Sequence, residues 1–243
     1  MAKSLQALLR DCLMKHLFLP VALLGLSCAT SAHAVDEQTD LHLQPERVVT
    51  GSSVASANNP AIRVILPEGT VHAGAKRWPL YNVADAELHA FVEADETNLV
   101  RRYYWVQFES FLPSRPKDYY RYAEFNPVMT DLSGYAVHVS PIMFAGPDFN
   151  PPADTDHAAF RTLLAERGFR LPVWTMSVRF VHLPTTDRRQ EVMVIYGEDI
   201  SLAGHTIAKA MRENGNGTLT RDDISAALVE RAKSRIRLAP YAE

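Results

Sequence analysis

Residues 86–94 alternate strictly, with Leu88, Ala90 and Val92 on one side and Glu87, His89, Phe91 and Glu93 on the other. A period of two is the pattern of a strand with one buried face. The polar run Asp95-Glu-Thr-Asn98 supplies turn chemistry, and residues 99–112 resume as an aromatic, β-branched stretch. Strand, polar turn, strand predicts a hairpin. A second hairpin is predicted from residues 173–183, which place Trp174, Met176, Val178 and Phe180 together. It continues through a turn over 184–189 to a return strand over 191–196. That return strand is apolar on both faces, which predicts a central position covered by helices. Shorter strands are expected over 62–66 and 135–144, the second interrupted at Pro141, which cannot donate to a ladder.

Helical spacing replaces alternation in three places. Residues 154–167 carry Phe160, Leu163 and Leu164, with Gly168 as a stop and Phe169 placed to fold back on the last turn. Ser201 caps a short helix bearing Ile207, Ala210 and Met211. Thr220 opens a last helix with Ile224, Ala227 and Leu228 in one stripe. Asp222 and Asp223 sit at its positive end and Lys233, Arg235 and Arg237 at its negative end. Strands cluster first and helices flank or follow. The expected class is α+β: an antiparallel sheet of two hairpins plus further strands, with about three helices, two of them C-terminal, packed on one face.

The N-terminus follows neither pattern. Residues 17–29 are an apolar run behind Lys15, and Ala32 and Ala34 stand at the −3 and −1 positions of a small-residue cleavage site. Basic start, short apolar core and A-x-A end are the parts of a secretory signal. The run falls short of the about 20 residues that a membrane-spanning helix needs. Residues 1–34 are therefore expected to be a signal peptide, 35–60 a flexible segment containing Gly51, and 61–243 a single domain. Met14 followed by Lys15 would begin a compact signal by itself. Lipidation at Cys28 is the alternative end, though Gly25 stands where a larger aliphatic residue is usual.

Cleavage changes the composition in one important way. The 243-residue chain has two cysteines, Cys12 and Cys28, and both leave with the signal. The mature protein is then without a thiol nucleophile, a Cys metal ligand or a disulfide. Its formal charge moves from −3 to −5, because Lys3, Arg10 and Lys15 are lost with Asp11. With 47% hydrophobic and 22% charged residues the chain is globular in composition. The absence of basic excess argues against nucleic acid as partner.

Candidate chemistry is sparse. Residues 212–223 resemble an EF-hand loop, with Asn214, Asn216 and Gly217 at the third, fifth and sixth positions, but Arg212 replaces the leading acid and Asp223 the bidentate Glu. A turn between two helices explains the same residues, and no metal or cofactor is expected. Asp154-Thr-Asp-His157 is read as helix capping. Tyr119-Tyr-Arg-Tyr122 suits a loop folded over the sheet, or a sugar or protein contact.

The most suggestive surface is the first hairpin. Glu87, His89 and Glu93 lie on one side of its first strand, and Arg101, Tyr103, Trp105 and Glu109 on one side of its second. If those sides coincide, His89, Glu93, Arg101, Tyr103, Trp105 and Glu109 form a floor for a polar ligand. If the register slips by one residue, Tyr103 and Trp105 instead back Leu88 and Ala90 as core. The expected function is a periplasmic or secreted, non-enzymatic binding or interaction protein of the cell envelope. Its partner would be an envelope ligand or protein, with no transmembrane segment after cleavage. A cofactor-free hydrolase using His89, Glu93 and Glu109 in acid–base chemistry is the alternative, and a purely structural accessory protein a third. N-terminal sequencing of the exported protein is expected to read from Val35, and a cytosolic chain retaining residues 1–34 would remove the premise.

Overall fold

The structure is a computed structural model, and it describes residues 43–125, 128–140, 143–145, 149–153, 155–203 and 221–241. In chain order its strands are β1 (Val48–Thr50), β2 (Ser53–Ser56), β3 (Ile62–Ile65), β4 (Val71–Leu80), β5 (Ala84–Ala94) and β6 (Val100–Phe111). They continue as β7 (Met129–Leu132), β8 (Tyr135–Val139), β9 (Met143–Ala145), β10 (Thr175–His182), β11 (Gln190–Asp199) and β12 (Arg237–Pro240). The helices are α1 (Tyr122–Phe125), α2 (Asp156–Glu166) and α3 (Arg221–Lys233), and a 3-10 turn, Ile200–Ala203, follows β11. The expected helix bearing Ile207, Ala210 and Met211, the EF-hand-like loop and the signal segment lie outside the described residues.

All strand pairs are antiparallel and form two sheets. The larger runs β4-β5-β6-β11-β10-β8-β7, with β9 pairing β10 beyond the end of β8. The smaller runs β1-β2-β3-β12. Both predicted hairpins are present, as β5–β6 and β10–β11. Strand β11 lies between them, buried along its length, as its two-faced apolar pattern requires. The strand read over 135–144 is divided into β8 and β9 on either side of Pro141.

The segment expected to be flexible is partly built into the fold. Residues 48–50 and 53–56 form a tight hairpin around Gly51 (φ +56°), and β2 pairs β3, burying Val54 completely. Their small residues hid a short strand. The last helix is also shorter than its charge pattern suggested. It ends at Lys233, and Arg237 belongs to β12, which pairs β3. The buried stripe is Ile224, Leu228 and Ala232, while Ala227 faces solvent.

Helices do not share one face of the large sheet. On one side Phe91, Tyr104, Val106, Phe108, Val178, Phe180, Val192 and Val194 pack against β2, β3, β12 and α3. On the other, Leu88, Ala90, Val92, Trp105, Met193 and Ile195 pack against Phe160, Leu163 and Leu164 of α2. Thr155 caps α2 by accepting from the Ala158 amide at 3.2 Å. Gly168 at φ +75° ends it, with amides of Gly168 and Phe169 donating to the Ala165 and Leu164 carbonyls.

One position admits no side chain. Gly197 lies opposite Tyr103 across β11–β6, and a Cβ there would sit 1.9 Å from the Tyr103 ring. The bare backbone is what lets the ring lie flat over β11. Gly197→Ala is expected to cost about 2 kcal/mol or more in urea denaturation, because a packed aromatic ring must be displaced.

Candidate functional site

The hairpin register decides what the sequence-selected residues can do. Five residues, Asp95 to Leu99, separate the first pair, Ala94 and Val100. The Asp95 side chain accepts from the Thr97 and Leu99 amides, and Asn98 adopts φ +60°. Continued unchanged, that register would set His89 opposite Trp105. It is not continued. Glu93 pairs Arg102, so Arg101 is left without a β5 partner as the extra residue of a bulge, and His89 pairs Val106. The two polar sides therefore point to opposite faces, and the six-residue ligand floor is not formed.

His89 and Glu93 face the smaller sheet and α3, where they serve as ties. His89 Nε2 contacts Glu87 Oε1 at 2.8 Å, and His89 Nδ1 lies 3.4 Å from His72 Nε2. Glu87 also accepts from the amides of Glu46 and Arg47, both at 2.8 Å, and from the Arg47 guanidinium at 2.9 Å. Burial opposes its charge, but these donors prevail and hold its pKa down to about 2. Glu93 accepts from Arg235 at 2.6 and 2.7 Å, from Arg102 at 3.1 Å and from Tyr104 Oη at 2.6 Å, and its pKa is also lowered against burial. A third acid on this face, Glu198, accepts from Arg231 at 2.7 Å and from Tyr196 Oη at 2.6 Å. Each carboxylate joins a separate chain segment to the sheet. The proposed trio of His89, Glu93 and Glu109 does not assemble.

Arg101, Tyr103, Trp105 and Glu109 face α2. Arg101 pairs Asp199 at 2.8 Å. Trp105 is core, stacked on Phe160 at 5.1 Å and 2% exposed, as the slipped register requires. Beyond Trp105 the same side of β6 turns polar. Trp105 Nε1 donates to Gln107 Oε1 at 2.7 Å, and Gln107 Nε2 donates to Glu109 Oε1 at 2.5 Å. Tyr120 Oη donates to Glu109 Oε2 at 3.0 Å.

Directly opposite Glu109 across β6–β11 stands a second acid, Glu191. Residues facing each other on neighbouring strands have Cβ atoms roughly 4.5–5.5 Å apart. Both carboxyls are buried, Glu109 7% and Glu191 2% exposed. Among the described residues neither meets an Arg or Lys at ion-pair distance. Burial, with Asp156 of α2 adding repulsion, pushes the Glu109 pKa up to about 7, against the pull of Gln107, Tyr120 and Arg179. Glu191 is pushed well above the usual carboxylate range, by burial first and then by Glu109. Two buried, like-charged groups facing each other share protons, and their titration belongs to the pair.

The surroundings come from four other elements. Tyr122 of α1 interacts with the Glu191 carboxyl through its hydroxyl, and its ring lies under the Arg179 guanidinium at 5.5 Å and beside His138 of β8 at 5.7 Å. Arg179 Nε of β10 donates to Ser140 Oγ at 3.0 Å. At the start of α2, Asp156 Oδ1 accepts from the His157 amide at 2.8 Å, and the His157 ring lies edge-on to Trp105 at 4.9 Å. The aromatic stretch 119–122 thus folds over the sheet, its Tyr120 amide donating to the Arg188 carbonyl at 2.8 Å. Asp156 and His157 border the pair beyond their part in capping α2. Among the described residues no group of three or more His, Cys, Asp or Glu could hold a metal, and no helix is long and apolar enough to cross a membrane.

Sequence reading selected Glu109 but not Glu191, a single acid at the edge of an apolar strand. Only the β6–β11 register brings the two together. Comparison with models of protein families, with characterised proteins and with solved structures gives no match.

The two faces differ in how pH acts on them. Glu93 has a folded pKa below its unfolded value, so its contribution is present above about pH 4.5 and is lost as pH falls. Glu93→Gln is expected to destabilise by roughly 2 kcal/mol at pH 7, since it breaks a partly buried ionic network. The difference shrinks toward pH 3. Thermal denaturation across that range measures it, and a pH-independent loss would deny the ionic origin.

Proposed function

We propose that this is an exported protein whose working site is the Glu109–Glu191 pair, acting as a cofactor-free hydrolase by general acid–base chemistry. One observation carries the reading: two buried carboxyls face each other across adjacent strands with no Arg or Lys ion pair among the described residues, one with a pKa near neutrality. Acid pairs with raised and separated pKa values are how one site supplies a base and an acid at the same pH. The other buried acids among the described residues, Glu87, Glu198 and Asp199, are each paired with an arginine, which the Glu109–Glu191 pair is not. The pair is destabilising as built, which is a common signature of a site kept for its chemistry. Hydroxyls of Tyr120 and Tyr122 and the half-buried Asp156 and His157 would line the approach of a polar, uncharged substrate.

Export rests on the signal-like residues 1–34. A binding role without turnover is the second reading, favoured by the depth of Glu191, which at 2% exposure needs side-chain movement before a ligand can touch it.

Replacing either acid by its amide separates these readings. General acid–base groups contribute about 10²–10⁴-fold to rate. Glu109→Gln and Glu191→Gln are therefore expected to abolish hydrolysis found in a screen of glycosides, esters and peptides. Retained ligand binding, seen as a raised melting temperature, with no turnover by wild type would favour the binding reading.

Stability should move the other way. Glu109 binds its proton more tightly folded than unfolded, so its burial costs nothing below about pH 4.5 and its full cost above about pH 7. Glu109→Gln is expected to stabilise the protein by on the order of 2 kcal/mol at pH 8 and to change little at pH 4. Thermal denaturation at the two pH values checks this, and destabilisation at pH 8 would show the carboxylate to be a structural tie.

A further inference from the structure

We infer that the proton of the pair resides on Glu191, so that Glu109 is the base and Glu191 the acid, with Gln107 and Trp105 as positioning residues that enforce this order. The inference deepens the acid–base reading and rests on it for its functional meaning. It is carried by the direction of the hydrogen bonds.

Indole Nε1–H can only donate, so Gln107 must turn its amide oxygen toward Trp105. Its NH2 group is then forced toward Glu109, where it donates to Oε1. The Tyr120 hydroxyl donates to Oε2 at 3.0 Å. Each oxygen of Glu109 therefore receives a donor, the arrangement that favours the ionised carboxyl. Glu191 receives the opposite treatment. Tyr122 provides one hydroxyl, and Oε2, fully buried, has no hydrogen-bond partner among the described residues. A bare anionic oxygen in a buried site costs far more than a neutral O–H in the same place. Both acids are raised by burial, and Glu109 adds to the rise at Glu191.

Other charged and titratable groups around the pair do not reverse it. Asp156 at the start of α2 raises both acids, and Arg179 of β10 lowers both. Tyr120 and Tyr122 are held neutral by burial. His157 bonds to Asp156, and His138 stacks on Tyr122.

The assignment also specifies the ligand. The unpartnered Glu191 Oε2–H is a donor in search of an acceptor, while Glu109 accepts. The matching group is neutral and presents an acceptor oxygen to Glu191 and a proton donor, its own or that of a water, to Glu109. A carbonyl or ether oxygen flanked by a hydroxyl or amide N–H has this form. A cationic ligand does not, since it would call for both acids ionised.

The experiment reads the protons directly, without a substrate. In mature protein carrying 13C at the glutamate carboxyl carbon, wild type at pH 7 is expected to show one carboxyl with the shift of a protonated acid. That signal should vanish in Glu191→Gln. The signal lost in Glu109→Gln should be one titrating near neutrality. Gln107→Leu, which removes the donor to Oε1, should move the Glu109 midpoint upward by about one pH unit. Trp105→Phe, which frees the amide to rotate, should move it in the same direction by less. Loss of the protonated signal in Glu109→Gln, or its absence from wild type, overturns the assignment. If a core variant fails to fold, the wild-type and Glu191→Gln spectra decide. A correct proton order in a protein that turns over no substrate would overturn the hydrolase reading alone.

Discussion

One extra residue in β6 organises this molecule. The Asp95–Leu99 turn brings β5 and β6 together in a register that would place both polar sides of the hairpin on one face. Arg101, unpaired in the bulge, shifts the ladder by one residue and sends them to opposite faces. Trp105 then backs onto Ala90 and joins the core under α2, while His89 and Glu93 turn toward the smaller sheet. On its other edge β6 pairs β11 along nine positions without interruption, and that separate register sets Glu191 opposite Glu109.

The two faces solve the same problem differently. Both bury acids, and burial by itself raises the energy of a carboxylate. Toward the smaller sheet, Glu87, Glu93 and Glu198 each take an arginine from a distant segment, Arg47, Arg235 and Arg231, and so fasten the N-terminal strands and α3 to the sheet. Toward α2 the pair of Glu109 and Glu191 is met by amide and hydroxyl donors, with Arg179 near both but no Arg or Lys at ion-pair distance among the described residues. The first arrangement holds its carboxylates ionised, whereas burial in the second raises the titration of both acids.

Positions near the pair show how rigid elements hold it. Trp105, Gln107 and Glu109 descend one side of a single strand, so their spacing is set by the pleat and their hydrogen bonds run in one direction. Trp105 is clamped by Phe160, and the helix that supplies Phe160 also sets Asp156 and His157 at the margin of the site. Packing under α2 and polar order at the acids are therefore one mechanical unit.

The sequence alone determined the class of the fold, both main hairpins, the central place of β11 and the α2 helix with its cap and glycine stop, because these follow from local periodicity and turn chemistry. It also singled out Glu109 and the tyrosine stretch that covers it. Strands β1 and β2 escaped notice because Ser53, Ala55 and Ser56 carry little strand signal, and β12 was hidden in a run of basic residues that reads as a helix end. What only the tertiary structure decided is which residues meet. A bulge leaves no mark in composition, yet it moves the β6 side chains from Arg102 onward to the other face relative to β5, and Glu191 is one acid in an apolar run until β6 is laid beside it. Pairing across strands joins residues more than eighty positions apart, and a period of two in each strand cannot choose between the registers that would pair them or part them.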